Sequence, residues 1–433
     1  MLLDFTVENF RSIKGAETLS AVAASKSKSK PSNSESRHRV KSDDEIAQPF
    51  HVEGWDIDVL PVIVIFGANA SGKSNVLKAF NYLLKFMCEG NYDRGAELIP
   101  FKLDQQSRES PSCFKLRIVI DGTIYIYSLV LNSNRIIAEK LEYALVSTKR
   151  DRLLYSRFWN EEYQKFKWKN GSDFLGSHIQ LEKNLHEREP FTSLFSKLEI
   201  KVIKSFSFWV RGSFMANTYA SHNMHYRKYI NITWNLGQTS NPEFSGLLEN
   251  AKKLLIKFDT GLHDIQIKKA EDNERDIDIL AFHKIEQGEI LSWKFEEEST
   301  GTQNLFGLAV NIELMLQADF NLPLIIDELG SSLHPNIIHS IVQLFQATQT
   351  NHNRIQLIFT SHDNTLQRNN LLRRDQIWFT QKRPDQSTEL YPLSDFKVRN
   401  DLAIDKAYLD GRFGAVPFIS DEDDFMPVGE DNG

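Results

Sequence analysis

The sequence of 433 residues has only two cysteines, Cys88 and Cys113, which excludes a disulfide framework and a cysteine-based zinc cluster. Long apolar runs are also missing. The run at residues 62–66, taken with its flanks, is typical of the longest apolar runs in the chain. Such runs are far shorter than the roughly 18 residues that a membrane-spanning helix needs. Residues 1–4 lack the basic and apolar regions of a secretion signal. These absences predict a cytoplasmic protein with no membrane segment.

An excess of positive charge is missing as well. The formal net charge of -7 argues against a generally basic nucleic-acid binder, although a local basic patch is compatible with it. Hydrophobic residues make up 41% of the chain, which at this length is enough to build the cores of two or three domains. Composition therefore predicts an ordinary globular protein.

Short apolar runs alternate with amphipathic segments along the chain. Three runs predict strands buried on both faces, and they are residues 62–66, 322–326 and 355–360. Three segments predict helices, and they are residues 75–87, 301–317 and 335–347. Alternating strands and helices indicate an α/β fold with a largely parallel sheet. Between residues 113 and 146, polar and apolar residues alternate, which predicts an additional antiparallel β-layer.

These patterns predict a division of the chain. Residues 1–187 would form the N-terminal part of an α/β core that includes a mobile loop at residues 24–48. Residues 188–264 have longer helical stretches, which predicts an inserted helical subdomain. Residues 265–418 would complete the core, and residues 419–433 would form an acidic tail.

The most specific motif fits the pattern G-x-x-x-x-G-K-[ST] and reads Gly67-Ala68-Asn69-Ala70-Ser71-Gly72-Lys73-Ser74, hereafter the P-loop. Glycines let the backbone amides surround phosphate oxygens, Lys73 places a positive charge against the β- and γ-phosphates, and Ser74 ligates Mg²⁺. A plain glycine-rich turn is the bland alternative. Because a buried strand is predicted before the loop and a helix after it, we expect a site for Mg²⁺ and ATP.

A second set of candidate residues lies about 250 positions later. Asp327 and Glu328 end an apolar strand, where Asp327 would hold Mg²⁺ and Glu328 would act as general base for the attacking water. An isolated Asp-Glu pair is usually only a solvated strand end. Two flanking segments favour the catalytic interpretation, and they are Ser299-Thr300-Gly301-Thr302-Gln303 and Thr360-Ser361-His362-Asp363.

Each flanking segment has two interpretations. Ser299 and Gly301 begin a predicted helix whose N-terminal amides can bind a phosphate, and a simple helix cap is compatible with that role. His362 follows a buried strand, where its side chain could reach the γ-phosphate or the attacking water. A histidine at a strand end is otherwise a passive surface residue.

The ordered set of motifs resembles the ABC-type ATPases. Three segments are similar to the branch shared by chromosome-maintenance (SMC), RecF-like and overcoming-lysogenization-defect (OLD) proteins, and they are Asn9-Phe10-Arg11-Ser12, Gly72-Lys73-Ser74-Asn75, and Asp327-Glu328 with His334-Pro335. The C-terminal segment Asp410-Gly411-Arg412-Phe413-Gly414-Ala415-Val416-Pro417 resembles the ending of bacterial RloA-like AAA/ABC ATPases. Those ATPases are found beside restriction and phage-defence genes, including the PARIS type.

This resemblance implies ATP and Mg²⁺ as cofactors and a homodimer, or a larger homo-oligomer, joined through the ATP sites. Ser299 and Gly301 would be the signature that closes on ATP held by the opposite subunit, with Thr300 and Thr302 departing from the usual Leu-Ser-Gly-Gly-Gln. Residues 329–333 would cross the dimer interface, and His362 would be the switch histidine.

The resemblance also places Arg11 and Asn75, which lie in matching motifs, with the P-loop at the nucleotide. Gln105 and Gln106 are the candidates for a glutamine that senses Mg²⁺.

Our leading functional hypothesis is an ATP-driven sensor or regulator of anti-phage defence that acts through a separate effector protein encoded nearby. After Asp375 about sixty residues remain, fewer than a fused nuclease domain would need. No sequence motif of a second catalytic site is present either.

The alternative is a DNA-binding ATPase clamp in repair or recombination. Residues 201–211 and 225–229 interleave bases with aromatics, a pattern that can contact phosphates and stack bases. A solvated helix face with aromatics packed beneath it explains the same pattern. A transporter motor is a third hypothesis, but the helical insertion and the segment at residues 9–12 fit it poorly.

Overall fold

The fold is known from a computed structural model. The structure describes residues 1–24, 48–90, 98–174, 182, 185–198, 200–220, 230, 234, 246–258, 261–270, 277–317, 321–330, 333–368, 371–399 and 402–417. Almost all of the loop predicted at residues 24–48, the acidic tail at 419–433 and the segment 225–229 lie outside the described residues.

A seven-stranded antiparallel sheet forms one layer, in the order β10-β9-β8-β7-β6-β1-β2. Its strands are β1 (Leu2–Glu8), β2 (Glu17–Ser20), β6 (Ser112–Ile120), β7 (Thr123–Leu131), β8 (Ile136–Ala144), β9 (Asp151–Asn160) and β10 (Lys165–Asn170). One face of these strands is apolar and buried, as their alternating sequences require. The sheet is the predicted antiparallel β-layer, and it extends further along the chain than the sequence indicated. A two-stranded ribbon, β3 (Phe50–His51) with β4 (Asp58–Val59), lies outside it.

A second sheet of five strands has the order β14-β15-β5-β16-β17. Its strands are β5 (Val62–Gly67), β14 (Pro323–Ile326), β15 (Gln356–Thr360), β16 (Ile377–Lys382) and β17 (Thr388–Pro392). The first four run parallel, and only β17 is antiparallel to its neighbour. The carboxyl ends of β5, β14 and β15 therefore meet at one edge, where parallel α/β sheets bind ligands. This mixed sheet and the antiparallel layer confirm the predicted α/β class.

Helices pack around the two sheets. They are α1 (Lys73–Glu89), α2 (Gln105–Glu109), α3 (Lys201–Ala220), α4 (Leu247–Lys257), α5 (Thr300–Gln317), α6 (Pro335–Gln346) and α7 (Ile404–Leu409). Helix α1 begins inside the P-loop motif and ends at Gly90, whose φ of 63° is the left-handed conformation that glycine adopts easily. Helix α6 is capped by His334 and has Pro335 in its first turn, where proline's missing N–H costs nothing. No helix in the described ranges is both long and apolar enough to cross a membrane.

The described part of the predicted helical insertion packs against the core. Helix α3 contacts α1 and β14, and it buries Ile203, Phe206 and Trp209. Phe206 and Trp209 are thus core residues, as the solvated-face interpretation of residues 201–211 expected, whereas Phe208 is 50% exposed. A three-stranded sheet follows the insertion, consisting of β11 (Asp264–Lys269), β12 (Ile277–Lys284) and β13 (Ile290–Lys294). Local sequence patterns did not indicate β11 or β12.

Candidate nucleotide-binding site

The P-loop connects β5 to α1, and its two glycines sit where no other residue fits. Gly72 has a φ of 114°, and a Cβ there would lie 2.1 Å from Oγ1 of Thr388. A Cβ on Gly67 would lie 2.5 Å from the carbonyl oxygen of Thr380. Strands β16 and β17 therefore press against the loop from behind. The glycines allow this close packing as well as the approach of a ligand to the backbone amides.

Lys73 is almost fully buried, with 6% of its surface exposed, and its ammonium group folds back over the loop. Nζ donates hydrogen bonds to the carbonyl oxygens of Gly67 at 2.8 Å and Ala68 at 3.0 Å. Burial lowers the pKa of Lys73, while the negative charges of Glu328 and Asp327 oppose that shift. A buried cation at the mouth of an amide-lined loop suits an anionic ligand.

Ser74, at the end of the P-loop, and Asp327, directly after β14, lie in contact. Ser74 Oγ donates a 3.0 Å hydrogen bond to Oδ1 of Asp327, and Thr360 Oγ1 donates to the same oxygen at 2.7 Å. The backbone N–H of Glu328 donates in turn to Thr360 Oγ1 at 2.6 Å. Thr360, which is fully buried at the end of β15, therefore orients both acidic residues. A hydroxyl and a carboxylate side by side are the hard oxygen donors that Mg²⁺ prefers.

Glu328 and His362 lie next to this pair. Glu328 is exposed and has a φ of 56°, a left-handed conformation that non-glycine residues adopt rarely and that is common at functional sites. Burial lowers the pKa of His362, the positive charge of Lys73 lowers it further, and Glu328 and Asp327 oppose both effects. The structure thus brings Lys73, Asp327, Glu328 and His362 within electrostatic reach of one another.

A chain of side-chain hydrogen bonds supports the P-loop from the opposite side. Asn75 Nδ2 donates to Ser12 Oγ at 2.7 Å, and the hydroxyls of Ser12 and Thr388 lie 2.7 Å apart. Thr388 also donates to the carbonyl oxygen of Ser71 at 2.8 Å, and the hydroxyls of Ser71 and Thr380 are 2.6 Å apart. Sequence reasoning missed Thr380 and Thr388, and it gave Thr360 no role within the segment 360–363, because threonines in strands are common.

Arg11 lies beside this hydrogen-bond chain. Its backbone has a φ of 54°, and its N–H donates to the carbonyl oxygen of Ile99 at 2.7 Å. Its Nε is buried without a hydrogen-bond partner in the described part of the chain. A buried guanidinium nitrogen that lacks an acceptor fits an anionic ligand nearby.

Three predicted features have no contact with the P-loop of the same chain among the described residues. Ser299 Oγ accepts a 3.1 Å hydrogen bond from the N–H of Thr302, which makes it a cap of α5, and Gly301 lies in the first turn of that helix. Gln105 and Gln106 are exposed on the short helix α2. Residues 331–332, in the predicted interface loop 329–333, lie outside the described ranges.

The C-terminal motif forms a wall beside the P-loop. A cavity of about 530 Å³ opens between Ala68 and Asn69 on one side and residues 409–411 and 414–417 on the other. Tyr408 donates a 3.1 Å hydrogen bond to the carbonyl oxygen of Ala415, whose φ of 61° is again left-handed. The segment that carries the sequence resemblance at the C-terminus is thus part of the site's surroundings.

A family model described as "AAA domain, putative AbiEii toxin, Type IV TA system" matches residues 62–368, which is most of the chain. The chain belongs to this AbiEii-like family of AAA ATPases. The matched range of this AbiEii-like ATPase runs from β5 past His362 and includes the P-loop, Ser299, Asp327 and Glu328. Arg11 and the C-terminal wall lie outside it. The match confirms the resemblance to AAA/ABC-type ATPases that the motifs indicated.

Comparison with solved structures finds SMC head domains, at low identity. An SMC head bound to the C-winged helix domain of ScpA is 12% identical, with a TM-score of 0.38, and the match covers 94% of this chain and 99% of that one. An SMC head with coiled coil and joint from Pyrococcus yayanosii is 9% identical, with a TM-score of 0.41 and coverage of 95% and 99%. Comparison with curated proteins finds no match.

Proposed function

We propose that this AbiEii-like ATPase binds ATP with Mg²⁺ at the P-loop, Asp327 and Glu328, and hydrolyses it to ADP and phosphate. The observation that carries the proposal is the contact between Ser74 and Asp327, which lie 253 positions apart and share a 3.0 Å hydrogen bond beside Lys73. A lysine, a serine hydroxyl and an aspartate carboxylate meet at the carboxyl edge of a parallel sheet. That arrangement serves phosphoryl transfer.

The residues present fit Mg²⁺ and a triphosphate. Ser74 and Asp327 would hold the metal ion, which when bound supplies positive charge against the developing charge on the phosphates. The amides of residues 68–74 would surround the phosphates, with the buried Lys73 placed against the terminal ones. Arg11, whose Nε has no acceptor in the described part of the chain, would contact the same anion.

Glu328 would be the general base. Its side chain is exposed at the same edge, whereas the oxygen Oδ1 of Asp327 is already engaged by two hydroxyls. Glu328 is therefore the carboxylate that is free to accept a proton from water. His362, whose lowered pKa keeps its ring neutral at neutral pH, would orient that water or the γ-phosphate.

A homodimer or larger homo-oligomer would complete the site. Ser299 and Gly301 lie at the exposed start of α5, where the helix N-terminus can bind a phosphate from another chain. No contact in the described residues joins Ser299 or Gly301 to the P-loop of its own chain. This supports the proposal that each ATP is closed in by the opposite subunit.

We propose further that ATP turnover regulates a separate effector in bacterial anti-phage defence of the abortive-infection type. The support is the family description, which names an AbiEii toxin and a type IV toxin–antitoxin system. The described residues contain no cluster of three or more metal-ligating side chains that would suit a nuclease. Toxic chemistry would then come from a partner encoded nearby.

Two experiments test this proposal. Glu328→Gln should retain ATP while hydrolysis stops, because the base is lost and Asp327 remains; normal turnover by this variant would contradict the assignment. In cells challenged with phage, the chain should protect only together with its gene neighbour. Full protection by the chain alone would argue against a separate effector.

A further inference from the structure

The seven-stranded sheet carries an unusual concentration of lysines on its outer face. On β10, Lys165, Lys167 and Lys169 are exposed, while Phe166 and Trp168 point to the opposite, packed face. The inner side is held by Arg157, whose guanidinium lies 4.2 Å from the centre of the Phe166 ring. The three lysines are thus presented on a well-supported strand.

The same charge continues inward across the sheet. Strand register places Lys169 opposite Ser156, Ser156 opposite Lys140, Lys140 opposite Ser128 and Ser128 opposite Lys115. Because neighbouring strands lie about 4.8 Å apart, successive lysines in this row are separated by about 10 Å, with a serine hydroxyl between them. The row spans five strands, from β10 to β6.

Two aromatic rings lie exposed among these lysines. Phe158 is directly opposite Lys167 and is 45% exposed, and Lys167 Nζ lies 5.8 Å from its ring centre. Tyr163, in the turn between β9 and β10, is 61% exposed, with Lys165 Nζ 5.6 Å away. An exposed ring with a lysine beside it can stack on a nucleic-acid base.

Protection of a sheet edge does not explain this arrangement. Lysines on an edge strand discourage pairing with other chains, and this accounts for β10. It does not account for Lys115 and Lys140, which lie on interior strands, or for the exposed Phe158 on β9. Lys140 pairs with Glu142 at 2.7 Å, but the described contacts give the other four lysines no carboxylate within salt-bridge distance. Because the whole chain has a net charge of -7, this local concentration of lysines favours an anionic ligand.

We propose that this surface binds single-stranded nucleic acid. The lysines would contact successive phosphates, and the two rings would stack on unpaired bases. We call the surface the lysine face, defined by Lys115, Lys140, Phe158, Tyr163, Lys165, Lys167 and Lys169. The inference goes beyond ATP hydrolysis and does not depend on it.

The test is fluorescence anisotropy of the full chain with an oligonucleotide of about 20 nucleotides at about 50 to 200 mM salt. The variant Lys165→Glu/Lys167→Glu/Lys169→Glu keeps the edge strand charged but should bind at least about tenfold more weakly. Its log-log salt slope should be shallower by about 2, at about 0.7 per lost phosphate contact. Phe158→Ala should weaken binding of the single-stranded oligonucleotide about tenfold and binding of a duplex much less.

The matched control changes three exposed lysines of the small sheet, as Lys268→Glu/Lys269→Glu/Lys284→Glu, and should bind like the unchanged protein. Thermal melting confirms that each variant is folded. The proposal is overturned if the control loses as much affinity as the β10 variant, or if the β10 variant binds normally. A preference for duplex, or binding only to anionic vesicles, would also overturn it.

Discussion

At the scale of single residues, burial and the charges around the P-loop shift the pKa values of Lys73 and His362. Burial lowers the pKa of His362 below the ordinary value of 6.5, the positive charge of Lys73 lowers it further, and Glu328 and Asp327 oppose both effects. The ring is therefore neutral at pH 7. This coupling provides a test of the site that needs no nucleotide.

We expect Lys73→Ala to raise the pKa of His362, because a nearby positive charge is removed. Glu328→Gln should lower it, because a negative charge is removed. NMR titration of the histidine ring protons measures both shifts, with the exposed His352 on the amino-terminal side of β15 as internal control. Unchanged titration of His362 in both variants would show that the four side chains are not neighbours.

Single residues also show what the sequence could and could not predict. The motifs predicted that Ser74 and Asp327 would serve one Mg²⁺ site, and in the structure the two side chains share a 3.0 Å hydrogen bond. Thr388 was missed, and Thr360 was given no role within the segment 360–363. Each reaches the site from a strand far along the chain, and only the packed structure reveals that a threonine hydroxyl there meets a loop carbonyl or an acidic residue.

At the scale of elements, β17 holds the back of the P-loop. The Thr388 hydroxyl links the carbonyl oxygen of Ser71 to Ser12, and it is buried, so its loss leaves polar groups without partners. We expect Thr388→Val to reduce the free energy of unfolding by about 1–3 kcal/mol and to weaken ATP binding. Chemical denaturation and calorimetry measure the two effects.

Thr6→Val is the matched control for this prediction. The hydroxyl of Thr6 is also hydrogen-bonded to a second hydroxyl, that of Thr18, but on the solvent side of the sheet. We expect the unfolding free energy of this variant to change by no more than about 0.5 kcal/mol, with ATP affinity intact. ATP affinity that is equal in both variants would mean that β17 does not support the loop.

Elements differ in how well the sequence predicted them. The buried strand at residues 62–66 and the helix after it were found, because a continuous β-branched run and a clear amphipathic period leave few alternatives. Strands β11 and β12 were not identified, because polar and apolar residues alternate over only three or four positions before Lys268-Lys269 in β11 and Leu280-Ala281-Phe282 in β12 break the pattern. Pairing with neighbours, rather than local pattern, makes them strands.

At the scale of the whole molecule, the proposal requires two chains for each ATP. Ser299→Asp separates the two roles of that residue, because aspartate caps a helix as well as serine but places a negative charge against phosphate. We expect Ser299→Asp and Lys73→Ala each to be inactive as homo-oligomers. Mixing them should restore ATP hydrolysis, because a hybrid contains one intact P-loop facing one intact signature.

The control for this mixing experiment replaces Ser299→Asp with the double variant Lys73→Ala/Ser299→Asp. That mixture has no intact P-loop and should stay inactive. Hydrolysis rates of the mixtures are read against protein concentration, since association limits hybrid formation. Failure of the first mixture, with both proteins folded, would argue for a site completed within one chain.

The central claim is that the P-loop and Asp327 together bind ATP through Mg²⁺, and calorimetric titration of the folded chain with ATP tests it most directly. We predict binding in the presence of Mg²⁺ that weakens strongly when EDTA removes the ion, and no binding by Lys73→Ala. A folded protein with no magnesium-dependent affinity for adenine nucleotides would contradict the account.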